Sequence, residues 1–168
     1  MKELEIIREM VQAARSWRDR ALDRNNQEGL TDLSYRPESG MSSLGWLLAH
    51  QGAVYDFSLN ALILKRPPSN NSLFRNHLPG TDGAWDGTPL TDIMEYYDST
   101  ELEFVNWLES ATDEDMNRVV EGTGIPPFFQ GMTVRRVISF MFTHLNHHNG
   151  HLDALRRDWQ RRNAPPSE

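Results

Sequence analysis

The chain of 168 residues contains no cysteine. That absence excludes a disulfide framework, a thiolate metal site and a cysteine nucleophile. Any metal must then be held by nitrogen and oxygen, and any nucleophilic sulfur must come from a cosubstrate. Basic residues are in deficit as well, 17 Lys and Arg against 24 Asp and Glu, for a formal net charge of -7. A negative field repels phosphate backbones, which argues against nucleic acid and for a small-molecule substrate. No apolar run is long enough to span a bilayer, and the start, Met1-Lys2-Glu3-Leu4-Glu5, is charged with no apolar signal core. The expectation is a cytoplasmic protein with no membrane partner. Val/Ile-rich alternating runs separated by hairpin turns are missing too, so nothing argues for a sheet.

What is present is helical periodicity, in four long segments that predict an all-α four-helix bundle. The first runs from about Lys2 to Arg24, with Leu4, Ile7, Met10, Val11, Ala14, Ala21 and Leu22 on one stripe. The second opens after Ser42 or Ser43 as N-cap and continues to about Lys65, where Pro67 and Pro68 stop it. The third starts at Thr88-Pro89, a cap followed by a first-turn proline, and reaches about Ser110; a short turn follows at Thr112-Asp113-Glu114-Asp115. Thr133 caps the last, which extends to about Arg162. The length suits a single domain over residues 1–163, leaving 164–168 as a frayed tail.

Two connections stand out. Residues 66–88, rich in Pro, Asn and Gly, are longer than an antiparallel helix pair needs and read as a crossover between the second and third helices. Residues 117–132, with Gly122, Gly124, Pro126, Pro127 and Gly131, read as an irregular loop. Its Ile125, Phe128 and Phe129 predict that it packs down as a wall. Arg156, Arg157, Arg161 and Arg162 match the dipole at the end of the last helix and read as a solvated terminus, not an anion site.

Four histidines crowd residues 144–151: His144, His147, His148 and His151. On a helix, His144 and His148 share one face, as do His147 and His151, and either pair could grip one transition-metal ion. At roughly 100° per residue the apolar stripe of the last helix centres between Leu145 and His148. His148 therefore points inward, His144 lies at the stripe's edge, His151 further round as a pocket neighbour, and His147 in solvent. His50 sits mid-stripe on the second helix among Trp46, Val54, Phe57, Ala61 and Leu64. A buried imidazole must find a partner, and with His144 and His148 it completes three nitrogen donors, the usual protein share of an open catalytic site. A hydrogen-bonded core histidine is the plainer alternative for any one of them. His77, in the long connection, has no partner at useful spacing and receives no role.

Glu101 and Arg18 are the other polar residues on apolar stripes. Mutual pairing across helices is the first expectation; the alternative makes Glu101 a general base or supporting carboxylate near a metal-bound water. Trp46, Tyr55, Trp85 and Tyr97 read as core or cap more than as a ligand cage.

Two stretches, Ser42-Ser43-Leu44-Gly45-Trp46-Leu47-Leu48-Ala49-His50 and Gly131-Met132-Thr133-Val134-Arg135-Arg136-Val137 leading to His144-x-x-x-His148-Asn149-Gly150-His151-Leu152, resemble the DinB/YfiT-like superfamily of metalloenzymes. The likeness spans about Pro37 to Arg157. It implies up-down-down-up connectivity and carries the family's three metal-binding histidines onto His50, His144 and His148. It also implies a divalent zinc, nickel or iron ion and, from characterised relatives, chemistry on low-molecular-weight thiols: S-transfer, a thiol-dependent maleylpyruvate isomerisation, and the N-terminal domain of sulfoxide synthases. One departure is local. The family often has Arg-Gly-Gln after the last ligand where this chain has Asn149-Gly150-His151. The resulting expectation is a metal-dependent thiol S-transferase or isomerase, with Glu101 and His151 as candidate catalytic groups. The rivals are a metal-dependent hydrolase and a non-catalytic metal- or ligand-binding stress protein. Exposed helix faces leave room for a homodimer.

Overall fold

The structure is a computed structural model describing residues 2–38 and 40–164. Four long helices dominate it: α1 (Lys2–Gln27), α2 (Leu44–Asp56), α4 (Leu90–Ser110) and α6 (Val134–Asn163), with short α3 (Asn71–Asn76) and α5 (Asp113–Asn117) in the connections. The all-α reading therefore holds. Of the expected 164–168 tail only Ala164 is described, at the end of α6; the rest lies outside the described residues.

Cross-helix contacts fix the direction of each helix. Arg135 pairs with Glu3, Asn149 donates to the Ala14 carbonyl and Trp159 to that of Glu28, so α1 and α6 run parallel. Thr100 donates to the Gly52 carbonyl and Asn60 to Glu103, so α2 and α4 also run parallel. Arg15 reaches Glu101 while Arg18 lies over Tyr97, which sets α1 antiparallel to α4. The result is up-down-down-up. Two consecutive helices running parallel need a connection that returns along their length, and residues 64–89 supply it.

Several local outcomes differ from the sequence expectations. Ser43 caps α2, its hydroxyl accepting from Trp46 N–H at 3.3 Å, but past Asp56 the helix widens into a π-helical stretch, Phe57–Ile63. Thr88 does not cap α4: its hydroxyl donates to Asp86 at 2.6 Å, and the helix begins behind Pro89. The Thr112 turn is a full capping box opening α5. A two-residue antiparallel ladder, β1 (Val119–Val120) with β2 (Met132–Thr133), closes the 117–132 segment at its base, too short to leave an alternating pattern. The arginines of α6 are engaged, Arg156 with Glu28 and Asp153, Arg157 with Asp153, and Arg161 and Arg162 with Asp158.

Burial divides the core along the bundle axis. Large apolar groups gather around Tyr55, Tyr97, Phe104, Phe142 and Leu145 toward one end and around Leu44, Leu47, Ile93, Leu152 and Leu155 toward the other. Between them every long helix inserts buried polar residues: Arg18 on α1, His50 and Gln51 on α2, Thr100 and Glu101 on α4, His148 and Asn149 on α6. Gly52 lets α2 and α4 approach across this level, since a Cβ there would lie 3.2 Å from the Tyr97 Cα.

Asp56 fastens the crossover to the bundle. It is 1% exposed and accepts from Tyr96 Oη at 2.7 Å, Asn60 Nδ2 at 2.7 Å, Ser69 Oγ at 2.9 Å and Ser69 N–H at 3.0 Å. Removing the acceptor strands the buried Tyr96 hydroxyl, takes one of the two acceptors of the buried Asn60 amide, and frees Ser69 of the crossover. Asp56→Ala is expected to lose about 3 kcal/mol of unfolding free energy. Urea unfolding checks this; a loss no larger than that of an ordinary surface substitution would contradict the clamp.

Candidate metal centre

Helix α2 delivers His50 and helix α6 delivers His144 and His148 to one point in the polar level. The Nε2 atoms of His50 and His144 lie 2.9 Å apart and those of His148 and His144 3.0 Å apart. All three residues offer a ligand nitrogen within 4.8 Å of the others. His50 and His148 are buried, and His144 is half-buried at the edge. The ranking drawn from helix direction is thus the observed one. His147 and His151 are exposed and stand against each other outside the trio, ring centroids 4.3 Å apart.

The proton inventory of the trio does not close without a further partner. His50 Nδ1 faces the His77 carbonyl, an acceptor, so the neutral ring carries its proton there and presents a lone pair at Nε2. His144 Nε2 then lies between two nitrogens with at most one proton to share. If His148 donates to it, its only lone pair is used and that of His50 stays unmatched. If it donates to His50, it has no lone pair left for a proton on His148 Nε2 and no second proton for a lone pair there. Extra protons are no remedy: burial, the main cause, lowers His148 to about 2 and His50 to about 4, the latter despite the His77 carbonyl favouring its charged form. Burial also lowers His144. A cation among the three nitrogens would accept all three lone pairs, so the donor set fits a divalent ion.

Nothing in the sequence assigns a role to residue 77, and the structure corrects this. His77 is fully buried; its own Nδ1 donates to the Leu73 carbonyl at 2.9 Å, and its main-chain oxygen receives His50. A backbone carbonyl leaves no trace in residue type, so no motif could have announced it. Trp46 stacks flat on His50, centroids 4.4 Å apart and planes 13° apart, and is itself tethered by Nε1–H donating to Thr81 Oγ1 at 2.8 Å. The crossover thereby holds His50 from one side through His77 and from another through Thr81 and Trp46.

Glu101 falls elsewhere. Its carboxylate accepts from Arg15 Nε at 2.7 Å, not from Arg18, whose guanidinium lies 3.8 Å over the Tyr97 ring and bonds Asp19. Arg15 and Arg18 are neighbours on one helix face, and the aromatic ring takes one while the carboxylate takes the other. Burial raises the Glu101 carboxyl above its ordinary range, with the Arg15 hydrogen bond opposing it. Glu101 lines neither the histidine cluster nor the cavity beside it.

That cavity, about 400 Å³, opens on His50 and His144. Ala53, Val54 and Phe57 of α2, Val137, Phe140 and Met141 of α6, Leu78 and Pro79 of the crossover, and Pro126 and Phe129 of the 117–132 segment wall it. The packed-down wall expected of that segment is there, except that Phe128 stays outside, 56% exposed. His151 lines a different cavity, next to Ser42, Leu47 and Asp158.

An all-α bundle with three imidazoles converging in its interior defines the class. The family model of the DinB superfamily matches residues 15–152, and the chain belongs to that superfamily. A solved structure described as the conserved protein of locus from Enterococcus faecalis is similar in fold, with a TM-score of 0.59 and 17% identity over 88% of this chain and 95% of that one. No curated protein matches the chain.

The lowered histidines carry a stability consequence for metal-free protein. Unfolded histidine titrates near 6.5, whereas folded His50 and His148 stay neutral to about 4 and about 2. Below pH 6.5 the unfolded state binds more protons, so stability is complete above that pH and falls as pH drops. Each residue should remove up to about 2 kcal/mol by pH 5. Chelator-treated protein unfolded in urea between pH 7 and pH 5 should show this fall, and His148→Ala should flatten it; an equal fall in the variant would count against the assignment.

Proposed function

We propose that this chain is a metal-dependent enzyme in which His50, His144 and His148 hold one divalent ion, zinc, nickel or iron. Its reaction is the transfer of a low-molecular-weight thiol onto an electrophile, or the isomerisation of such an adduct. The observation carrying the reading is the convergence of three Nε2 atoms whose lone pairs cannot all be matched by protons, beside an open cavity. A bound ion of this kind supplies Lewis acidity, lowering the pKa of a thiol or water that it binds.

The residues of the chain supply the rest. The His77 carbonyl sets the tautomer and aim of His50, the role second-sphere acceptors commonly play for ligating imidazoles. Trp46 covers the outer face of that ring. The apolar walls keep water from the reacting atoms and strengthen electrostatic contacts inside. Among the described residues no carboxylate lines the cavity, and its two imidazoles are the proposed ligands, so its wall offers no free general base toward water. A thiol, which ionises far more readily than water, needs less help, and this favours thiol transfer over hydrolysis. In this reading His151 passes a proton between the centre and solvent, which its exposure and its position 5.4 Å from His148 between ring centroids support. Glu101, held by Arg15, ties α1 to α4 and belongs to the frame.

Purified full-length protein supplemented with zinc, nickel or iron should retain about one equivalent of metal per chain by elemental analysis. His148→Ala and His50→Ala should each weaken retention at least tenfold and abolish turnover of a thiol with a model electrophile. Wild-type protein that retains no metal, or a His148→Ala variant that keeps both metal and turnover, would overturn the proposal.

A further inference from the structure

The cavity beside the histidine centre is chemically one-sided. Apart from His50, His144 and the Ser58 hydroxyl, its wall is hydrocarbon and aromatic. Among the described residues, no arginine, lysine, aspartate, glutamate, asparagine or glutamine lines it. A charged or strongly hydrated group entering there would lose its water and gain no partner, while an apolar group would be favoured in proportion to the area it buries. The volume of about 400 Å³ corresponds to roughly a dozen waters of the bulk liquid. This sets an upper size and lies within the range of small-molecule pockets.

The walls are held in place before any ligand arrives. Leu78 and Pro79 lie in the segment whose neighbouring His77 and Thr81 are bonded to α2 residues, and the Leu78 carbonyl accepts from Thr81. Phe129 packs edge-on to both Phe57 and Phe140, centroids 5.6 and 6.1 Å apart, and the 117–132 segment is pinned by the β1–β2 ladder. Phe140, 41% exposed, and Phe128, 56% exposed, form an aromatic lip around Phe129.

We infer that this cavity seats an uncharged apolar group, aryl or branched alkyl, belonging to the molecule on which the histidine centre acts, with the reacting end toward His50 and His144. The inference rests on the reading of that centre as the place of reaction. It assigns the cavity to the hydrocarbon body of the electrophile. A polar thiol cosubstrate then approaches from the solvent side.

Displacement of the neutral fluorescent probe N-phenyl-1-naphthylamine from full-length protein by n-alkanols tests it. One probe should bind per chain. From butanol to octanol, displacement should strengthen about three- to fourfold per added methylene. The amine-tailed 8-amino-1-octanol should be at least tenfold weaker than octanol. Val54→Trp, which fills the cavity from a half-buried position, and Phe140→Glu, which charges its lip, should each weaken the probe at least tenfold. Leu102→Ser, exposed on α4 and outside the wall, should change it less than twofold. A flat alkanol series, or binding lost in Leu102→Ser but kept in both cavity variants, would overturn the inference in favour of surface adhesion. Metal retention measured on the same samples separates the two readings. Metal retained with a flat series refutes the cavity assignment alone. A graded series in protein that retains no metal upholds an apolar site and refutes the catalytic centre.

Discussion

Three neutral imidazoles facing one another in a dry interior make the demand around which this bundle is arranged. Removing three such rings from water costs free energy unless each nitrogen finds a partner, and their mutual contacts cannot supply enough protons. The fold answers the outer nitrogen of His50 with a backbone carbonyl and leaves the inner nitrogens turned on a common point. That arrangement is poor as a hydrogen-bonded core and well suited to an electron-pair acceptor. A core built only for stability would put leucine at His50 and His148, where the helix stripes already favour apolar side chains.

The crossover follows from the same demand. Running α2 parallel to α4 forces residues 64–89 back along the bundle, at first sight a wasteful connection for two neighbouring helices. Its return path brings His77 and Thr81 beside the histidine level, where one fixes His50 and the other fixes the tryptophan stacked on it. Asp56, at the junction of the α-helical and π-helical turns, fastens Ser69 of the crossover and Tyr96 of α4 to the same helix that carries His50. The connection is therefore part of the site. Its buried clamp explains how a segment rich in Pro, Asn and Gly holds a fixed position.

The long helices and the three inward histidines were legible in the chain because both depend on periodicity. A residue's direction follows from its number on a helix of 3.6 residues per turn, so the stripe that placed Leu145 and Leu152 also placed His148. What escaped depends on features without period. The His77 contribution is made by its main chain, Asp56 satisfies donors brought from three places, and the β1–β2 ladder is two residues long. Glu101 shows the limit from another side: its burial could be read from its stripe, but Arg15 and Arg18 share one helix face, and only the position of Tyr97 decides which of them it meets.

The two flanks of the histidine centre differ in a way that assigns them different work. On the His50 and His144 side, the crossover and the 126–129 turn complete an apolar recess in which, among the described residues, the two imidazoles are the ionisable groups. On the far side, His147 and His151 stand in solvent, and the neighbouring recess mixes apolar groups such as Leu47 and Leu155 with charged ones, Asp158 among them already occupied by Tyr35, Arg161 and Arg162. Because those arginines are paired with Asp158, that flank offers little fixed positive charge to grip an anion, yet His151 stands exposed on it. A reaction that joins a hydrocarbon-bodied electrophile to a hydrated nucleophile needs this division, one partner desolvated and held, the other admitted from solvent. His148, buried between them, stands with its ring 4.7 Å from that of His50 on one side and 5.4 Å from that of His151 on the other, so the two flanks meet at one imidazole.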